Sequence, residues 1–188
     1  SPYGYFAAER IEALAERHGR TVDWHPLLLG VIFKSTGVLP LTQVPLKRDY
    51  VKRDWERISR LTGIPFKMPA VFPIASHHAS RAVLFVARSN EQAAKDLTLA
   101  LYRACYVEGQ NIGEADVVCA VAKGIGLDAD AIAEGMADPA VKDQLKHEVG
   151  AAEARGVFGS PFVIVDGEPF WGFDRFDMLE AWLERGGF

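Results

Sequence analysis

The dipeptide Asp166-Gly167 separates two short runs of strand-forming residues near the end of the chain, Phe162–Val165 and Glu168–Trp171. Aspartate and glycine both tolerate the positive φ angles of a type I′ turn, so the dipeptide favours a two-residue β-hairpin. Pro161 comes directly before the first run. Because proline has no N–H for the ladder, it is compatible with the first position of a strand. The sequence therefore predicts an antiparallel strand pair here.

Helical periodicity starts at the beginning of the chain. Residues 2 to 17 carry apolar side chains at steps of three and four, which predicts an amphipathic first helix. The segment from 21 to 25, Thr-Val-Asp-Trp-His, alternates apolar and polar residues and is predicted to be a strand. A helix followed by a strand is part of a βαβ unit, so we expect one more strand directly before Ser1.

The middle of the chain is a long helical block. From about 31 to 137 the pattern is helical, with breaks rich in glycine and proline. Another helix is predicted after Asp138-Pro139, and Asp174 begins the last one or caps it. With the expected first strand, this order predicts an α/β, thioredoxin-like fold with a large all-helical insertion. The predicted division is a thioredoxin-like domain at 1–38 and 138–188 and an inserted helical domain at 39–137.

Composition and charge exclude several classes of partner. The chain is 49% hydrophobic and 24% charged, as soluble globular proteins are, and its net charge of -4 disfavours nucleic acid or an anionic membrane. No apolar run approaches the roughly 18 residues of a membrane span. Cys105 and Cys119 lie in helical patterns and are predicted to be buried free thiols. We expect a cytoplasmic protein whose partners are small molecules or a second copy of itself.

The first four residues, Ser1-Pro2-Tyr3-Gly4, allow two interpretations. Serine is a favoured N-cap and proline is favoured at the first helical position, so the segment is typical of an ordinary helix start. It is also similar to a thioredoxin-type active-site turn with Ser1 and Gly4 in place of the two redox cysteines. A hydroxyl cannot exchange a disulfide, so such a turn can only donate a hydrogen bond to the sulfur of a bound thiol. Glutathione is the thiol we expect there.

Charged residues follow a predicted helix from about 47 to 58. Lys47 and Asp54 are seven residues apart, which places them on nearly the same stripe of the helix. They either point together into a cleft or belong to a solvated row of surface charges. The five histidines lack the spacing of metal ligands, and no metal site is predicted.

Four motifs occur in one order along the chain: Ser1-Pro-Tyr, Val44-Pro-Leu-Lys47-Arg-Asp-Tyr50, Val157-Phe-Gly-Ser160-Pro161 and Trp171-Gly-Phe-Asp174-Arg-Phe-Asp-Met-Leu179. Together they closely resemble the 2-hydroxychromene-2-carboxylate isomerases and the related kappa-class glutathione transferases over essentially the whole chain. Three positions depart from the family pattern. Val38-Leu39-Pro40 follows Gly37, where relatives often have Asn-x-Pro-Pro. Ala75 stands where relatives often have Asn, and Phe173 stands where they often have Ser or Asn.

The resemblance implies a DsbA-like thioredoxin fold that forms a homodimer and uses glutathione as cofactor. It implies that Ser1 is the catalytic residue, with the sulfur of glutathione beside it, and that the bond before Pro161 is cis. The residues implied to bind glutathione are Ser1, Lys47, Asp54, Ser160, Pro161, Trp171, Gly172, Phe173 and Asp174.

The activity implied by the resemblance is glutathione-dependent isomerisation of 2-hydroxychromene-2-carboxylate to trans-o-hydroxybenzylidenepyruvate, in the degradation of naphthalene-type aromatic compounds. That substrate is an aromatic anion, so its pocket needs a cation and apolar walls, for which Lys34, Phe72 and Arg81 are candidates. Lys34 can equally be a helix-end charge, and Phe72 can be part of a core turn. Two alternatives stay open: a kappa-class-like glutathione transferase or peroxidase, and a noncatalytic glutathione-binding protein.

Overall fold

The computed structural model describes all 188 residues. Its helices are α1 (Pro2–Arg17), α2 (Leu29–Thr36), α3 (Lys47–Thr62), α4 (His77–Ala87), α5 (Glu91–Tyr106), α6 (Ala115–Gly124), α7 (Ala129–Ala137), α8 (Pro139–Ala154) and α9 (Phe176–Arg185). The strands are β1 (Phe162–Val165) and β2 (Glu168–Trp171), and short 3₁₀ turns lie at Leu41–Gln43 and Phe173–Arg175. None of the helices is both long and apolar enough to cross a membrane.

The predicted hairpin is confirmed. β1 and β2 pair antiparallel in a register that sets Phe162 opposite Trp171. Asp166 and Gly167 have φ angles of 51° and 88°, which are the positive values that a type I′ turn requires. This two-stranded sheet is the only sheet of the chain.

Residues 21 to 25 do not form the predicted strand. Their side chains do alternate, with Val22 and Trp24 packed against the core. The backbone, however, pairs with no other strand, and the carbonyl of Val22 instead accepts a hydrogen bond of 2.6 Å from the ammonium group of Lys95. A β ladder needs a second strand alongside. The only sheet of the chain is the hairpin, and it does not extend to this segment. Alternation of side chains alone therefore gives an extended segment here.

The predicted helical block is confirmed, and it is formed by α2 to α7. α8 begins where predicted, because the side chain of Asp138 accepts a hydrogen bond from Ala140 N and Pro139 takes the first helical position. The start of the last helix differs from the prediction. Asp174 belongs to the 3₁₀ turn, and Arg175 is the residue at the N-cap position of α9. The interpretation of Asp174 as the N-cap is therefore wrong.

One core joins the helical block to both ends of the chain. Twenty-five buried residues from α1 through α9 form a single cluster. In it, Tyr5 of α1 packs on Tyr106 with ring centroids 5.6 Å apart, and Phe6 packs on Phe66 at 5.4 Å. Five further buried residues hold α8 against α2 and α4. The first turn of α1 is therefore fixed by its burial, and the domain division at residues 38 and 138, which falls between helices, stays a prediction.

Both cysteines are free, as predicted. Cys105 of α5 is buried, whereas Cys119 of α6 is only half-buried. Burial raises the pKa of the Cys105 thiol to about 11. This thiol is consequently protonated at neutral pH and packs as a small core residue.

Candidate active site

Ser1 caps α1 and stands at the centre of the candidate site. Its Oγ accepts a hydrogen bond from Gly4 N at 3.1 Å, and its carbonyl accepts one from Tyr5 N at 3.0 Å. Pro2 has no N–H to pair. Tyr3 N–H is too close to the start of the helix to reach a carbonyl one turn earlier, and it has no partner in the chain. The first turn therefore offers one unpaired backbone donor beside the Ser1 hydroxyl.

The Ser1 hydroxyl also joins α1 to the start of β1. Ser1 Oγ donates a hydrogen bond of 2.9 Å to the carbonyl of Ser160. The Ser160-Pro161 bond is cis, as the resemblance implies. The carbonyl of Pro161 accepts a hydrogen bond of 3.1 Å from Gly172 N. The fold thus brings Ser1, Ser160, Pro161 and Gly172 together from opposite ends of the sequence.

The electrostatics of this place favour a negative charge. The amino end of a helix carries the positive end of the helix dipole, which stabilises an anion by about 0.3 to 1 kcal/mol, and by up to about 2 kcal/mol in partly buried positions. The unpaired Tyr3 N–H adds one hydrogen-bond donor, and the Ser1 O–H is a second when its bond to the Ser160 carbonyl is exchanged for one to the ligand. These groups fit the thiolate of a bound glutathione, since the turn itself contains no cysteine.

The residues after β2 form one side of the site. The side chain of Trp171 is 54% exposed and packs edge-to-face on Phe158 with centroids 4.8 Å apart. Gly172 has a φ of 107°, and the carboxylate of Asp174 occupies the space that a side chain at Gly172 would need. Asp174 is exposed and forms an ion pair of 3.1 Å with Arg175. The side chains of Trp171 and Asp174 are therefore open to solvent, whereas Gly172 N–H is paired with the carbonyl of Pro161.

Phe173 differs from its neighbours because its side chain belongs to the core. Its ring packs on Phe6 at 5.9 Å and on Phe176 at 5.1 Å. The guanidinium group of Arg10 lies 5.9 Å from the centre of the same ring. Only the backbone of Phe173 is left to contact a ligand.

Tyr3 connects α1 to α3. Its hydroxyl donates a hydrogen bond of 2.9 Å to Asp54 Oδ2, while Arg57 donates one of 2.7 Å to Asp54 Oδ1. Burial, followed by the hydrogen bond to Asp54, raises the pKa of Tyr3 well above its usual value, and the charge of Asp174 acts in the same direction. The Tyr3 hydroxyl is therefore held by Asp54. Lys47, two helical turns before Asp54, is exposed and forms no ion pair.

The three candidate substrate residues are not brought together with Ser1 by any hydrogen bond or ion pair. Phe72 is half-buried and packs on Trp55 with centroids 6.0 Å apart, and Trp55 in turn contacts Tyr3. Lys34 is an exposed residue of α2. Arg81 is half-buried on α4, and its Nε has no hydrogen-bond partner.

Sequence reasoning did not single out the side chains of Tyr3 and Tyr102. A Cβ added at Gly4 would lie 2.7 Å from Ser160 Oγ and 2.9 Å from Tyr102 Oη, so both hydroxyls lie against the Ser1 turn. Tyr3 is within the turn and carries a visible signal, since it follows Ser1-Pro2. Tyr102 is far away in sequence and belongs to no motif, so only the fold identifies it.

Three comparisons agree with this geometry. The family model described as a DSBA-like thioredoxin domain matches residues 1–184. A 2-hydroxychromene-2-carboxylate isomerase from Sphingobium xenophagum is 31% identical, with 97% of this chain and 93% of that protein aligned. Glutathione S-transferase kappa 1 from Homo sapiens is 26% identical over 97% of this chain and 88% of its own length. A solved 2-hydroxychromene-2-carboxylate isomerase superimposes with a TM-score of 0.88 at 27% identity, covering 98% of this chain and 90% of that one.

The chain therefore has a DsbA-like thioredoxin fold, mostly helical and with a small two-stranded sheet, in which a cysteine-free turn replaces the dithiol. Within that class, it belongs to the 2-hydroxychromene-2-carboxylate isomerase family of enzymes. The resemblance inferred from the four motifs is confirmed.

Proposed function

We propose that this enzyme is a glutathione-dependent cis-trans isomerase that converts 2-hydroxychromene-2-carboxylate to trans-o-hydroxybenzylidenepyruvate in the degradation of naphthalene-type aromatic compounds. Similarity to isomerases of that name along nearly the whole chain supports the reaction. The observation that carries the proposal is the first turn of α1, which contains no cysteine. There Ser1 O–H donates to the carbonyl of Ser160, the residue before the cis bond to Pro161, and Tyr3 N–H is unpaired.

Glutathione fits the groups that surround this turn. Its sulfur would lie beside Ser1 Oγ and Tyr3 N–H, and its cysteinyl amide would pair with the carbonyl of Ser160 in place of the Ser1 hydroxyl. The γ-glutamyl end would contact the segment from Trp171 to Asp174, with Phe173 contributing its backbone. The glycyl carboxylate would be held by Lys47, whose ammonium group has no partner in the chain. Asp54 would complete the set by holding Tyr3 or by binding the amino end of the tripeptide.

The chain's own contribution is to hold a thiolate without reacting. Bound as a thiolate, glutathione supplies a nucleophile that adds reversibly to a conjugated double bond, permits rotation and is regenerated, with no change of redox state. Ser1 has a single proton, which it donates to the Ser160 carbonyl in this structure. When a ligand amide takes over that carbonyl, the Ser1 proton becomes available to the sulfur. The dipole of α1 favours the charged form of the thiol in the same way.

The substrate's carboxylate and aromatic ring would contact Lys34, Phe72 and Arg81. Among these three residues, Phe72 is connected to the site by packed aromatic rings, since it contacts Trp55 and Trp55 contacts Tyr3. Arg81 offers a guanidinium Nε without a partner for the carboxylate.

We also propose that the enzyme is a cytoplasmic homodimer. Its two free cysteines suit a reducing compartment. Large exposed apolar side chains concentrate between the end of α2 and the start of α3: Val38, Leu39, Leu41, Leu46 and Tyr50. A concentration of exposed apolar side chains of this kind is typical of a protein–protein contact, and Leu46 directly precedes Lys47.

Incubation of the enzyme with 2-hydroxychromene-2-carboxylate tests the function. We expect spectral conversion to the trans isomer that requires glutathione in catalytic amounts and leaves the total thiol unchanged. Loss of one thiol per substrate would identify a transferase instead. Glutathione binding without either change would identify a noncatalytic binding protein.

A further inference from the structure

Two hydroxyl groups lie beside Gly4 that the proposed function does not use. A Cβ at Gly4 would lie 2.7 Å from Ser160 Oγ and 2.9 Å from Tyr102 Oη, both closer than the 3.0 Å below which Cβ contacts essentially never occur. Gly4 stands at the position of the second cysteine of a dithiol turn. The two hydroxyls therefore lie where the side chain of that cysteine would begin.

Tyr102 reaches this place from α5, in the helical block. Its ring packs against those of Tyr5 and Tyr106, with centroids 6.0 Å and 6.1 Å away. Both neighbours are core residues with very little exposure. The ring of Tyr102 is consequently packed into this aromatic cluster, which fixes the position of its hydroxyl.

Neither hydroxyl is engaged with a third group of the chain. Burial raises the pKa of Tyr102 to about 12, and hydrogen bonding with the Ser160 hydroxyl opposes only part of that rise. Tyr102 is therefore neutral at physiological pH, and its oxygen has lone pairs that accept the proton of the Ser160 hydroxyl.

We propose that Tyr102 is a positioning residue for the thiol site and that it acts through the side chain of Ser160. The proposal rests on the proposed glutathione-dependent function. Tyr102 Oη accepts a hydrogen bond from Ser160 Oγ and holds residue 160 so that its carbonyl stays against Ser1 Oγ, 2.9 Å away. The Ser1 proton can change from this carbonyl to a sulfur only if the carbonyl is held where the ligand amide can take it over. The two hydroxyls thus occupy the space beside the turn that the side chain of the second cysteine would take.

Tyr102→Phe tests this role, because it removes the hydroxyl and keeps the ring packed against Tyr5 and Tyr106. The first measurement is the thiolate absorbance of bound glutathione at a fixed pH below its thiol pKa. One neutral hydrogen bond corresponds to about a two- to tenfold change in an equilibrium, so we expect the thiolate-to-thiol ratio and the turnover number to fall by about that factor. Binding of S-methylglutathione, which has no ionisable thiol, should stay the same.

Two further variants complete the test. Ser160→Ala should lower the thiolate ratio similarly, and combining it with Tyr102→Phe should add nothing, because both remove the same hydrogen bond. Tyr106→Phe is the matched control, since its ring belongs to the same cluster but its hydroxyl is not one of the two beside Gly4. It should leave the thiolate ratio unchanged.

The outcomes separate this proposal from the proposed function. If wild-type enzyme shows no thiolate absorbance with glutathione, the function itself fails. If the wild-type signal is present and Tyr102→Phe retains it, or if Tyr106→Phe reduces it equally, the positioning role of Tyr102 is overturned while the function stands. A thermal unfolding measurement of each variant confirms that it is folded.

Discussion

The hydroxyl of Tyr3 donates a hydrogen bond of 2.9 Å to Asp54 Oδ2 and thereby ties the first turn of α1 to the middle of α3. Arg57 holds the other oxygen of the same carboxylate at 2.7 Å. The backbone N–H of Tyr3 is the unpaired donor beside Ser1, so the carboxylate on α3 fixes a residue that faces the thiol site.

This relationship predicts that Tyr3→Phe and Asp54→Asn each lower the free energy of unfolding by about 1 to 2 kcal/mol, as loss of a hydrogen bond to a charged group does. Because both changes affect the Tyr3–Asp54 hydrogen bond, their effects should be less than additive in the double variant, although Asp54→Asn also weakens the contact with Arg57. Chemical denaturation of the four proteins measures the coupling. Strictly additive losses would show that Asp54 does not hold Tyr3.

Glutathione analogues distinguish the two roles proposed for Asp54. If it binds the amino end of the tripeptide, Asp54→Asn should weaken glutathione more than an analogue that lacks the γ-glutamyl amino group. If it holds Tyr3, both ligands should be weakened to the same extent, and Tyr3→Phe should reproduce the effect. Isothermal titration calorimetry supplies the affinities.

Ser1→Ala should reduce turnover by about ten- to a hundredfold, the value of a hydrogen bond to a charged group. The affinity for glutathione should change by less than about threefold, because most of the contacts with the tripeptide lie elsewhere. Steady-state kinetics and calorimetry measure the two quantities. Ser89→Ala, on the connection between α4 and α5, is the matched control and should leave both unchanged. Equal losses of turnover and affinity would contradict the role of Ser1 as a thiolate stabiliser.

Gly4→Ala should lower the free energy of unfolding by about 1 to 3 kcal/mol, the usual cost of overpacking, since its Cβ would displace Ser160 Oγ and Tyr102 Oη. Helix propensity alone predicts the opposite sign, about 1 kcal/mol of stabilisation. Gly150→Ala in α8 provides the comparison, because nothing lies within 4 Å of its Cβ position, and this variant should be stabilised. Thermal unfolding measures both. A stable Gly4→Ala variant would show that the space beside Gly4 is open.

Alkaline pH should destabilise the fold. Burial raises the pKa of Tyr5 and of Tyr102 from 10.0 to about 12. The folded chain therefore keeps these two protons at pH values where the unfolded chain has lost them. Their contribution to stability is fully present below about pH 10 and is lost as the pH rises toward about 12. Denaturation midpoints over this range should fall, and less steeply in Tyr102→Phe. A Tyr102→Phe profile as steep as that of wild type would be evidence against this account.

Leu46→Asp should dissociate the proposed homodimer. Leu46 is 94% exposed in the single chain and lies at the start of α3, so a charge there would be buried without a partner in the interface. Light scattering after size-exclusion chromatography measures the mass. Met178→Asp on α9, an exposed apolar residue outside this patch, should leave the mass unchanged. A wild-type chain that elutes as a monomer would refute the dimer.

Local signals in the sequence predicted the elements whose causes are local. The β-hairpin follows from two residues that tolerate positive φ, and the cap of α1 follows from Ser1 and Pro2. The helical block follows from side-chain periodicity. The segment from 21 to 25 shows where this kind of reasoning fails. Its alternation is real, but a strand also needs a neighbour to pair with, and neighbours are a property of the whole fold.

The sequence by itself determined the cysteine-free turn, the hairpin, the order of the helices and the family. Only the tertiary structure decided that Ser1 donates to Ser160, that Asp54 holds Tyr3 and that Tyr102 lies against Gly4. These contacts join residues 51 to 159 positions apart. No local propensity encodes them, because they arise when the burial of α1 among α3, α5 and the hairpin brings distant polar groups within hydrogen-bond distance.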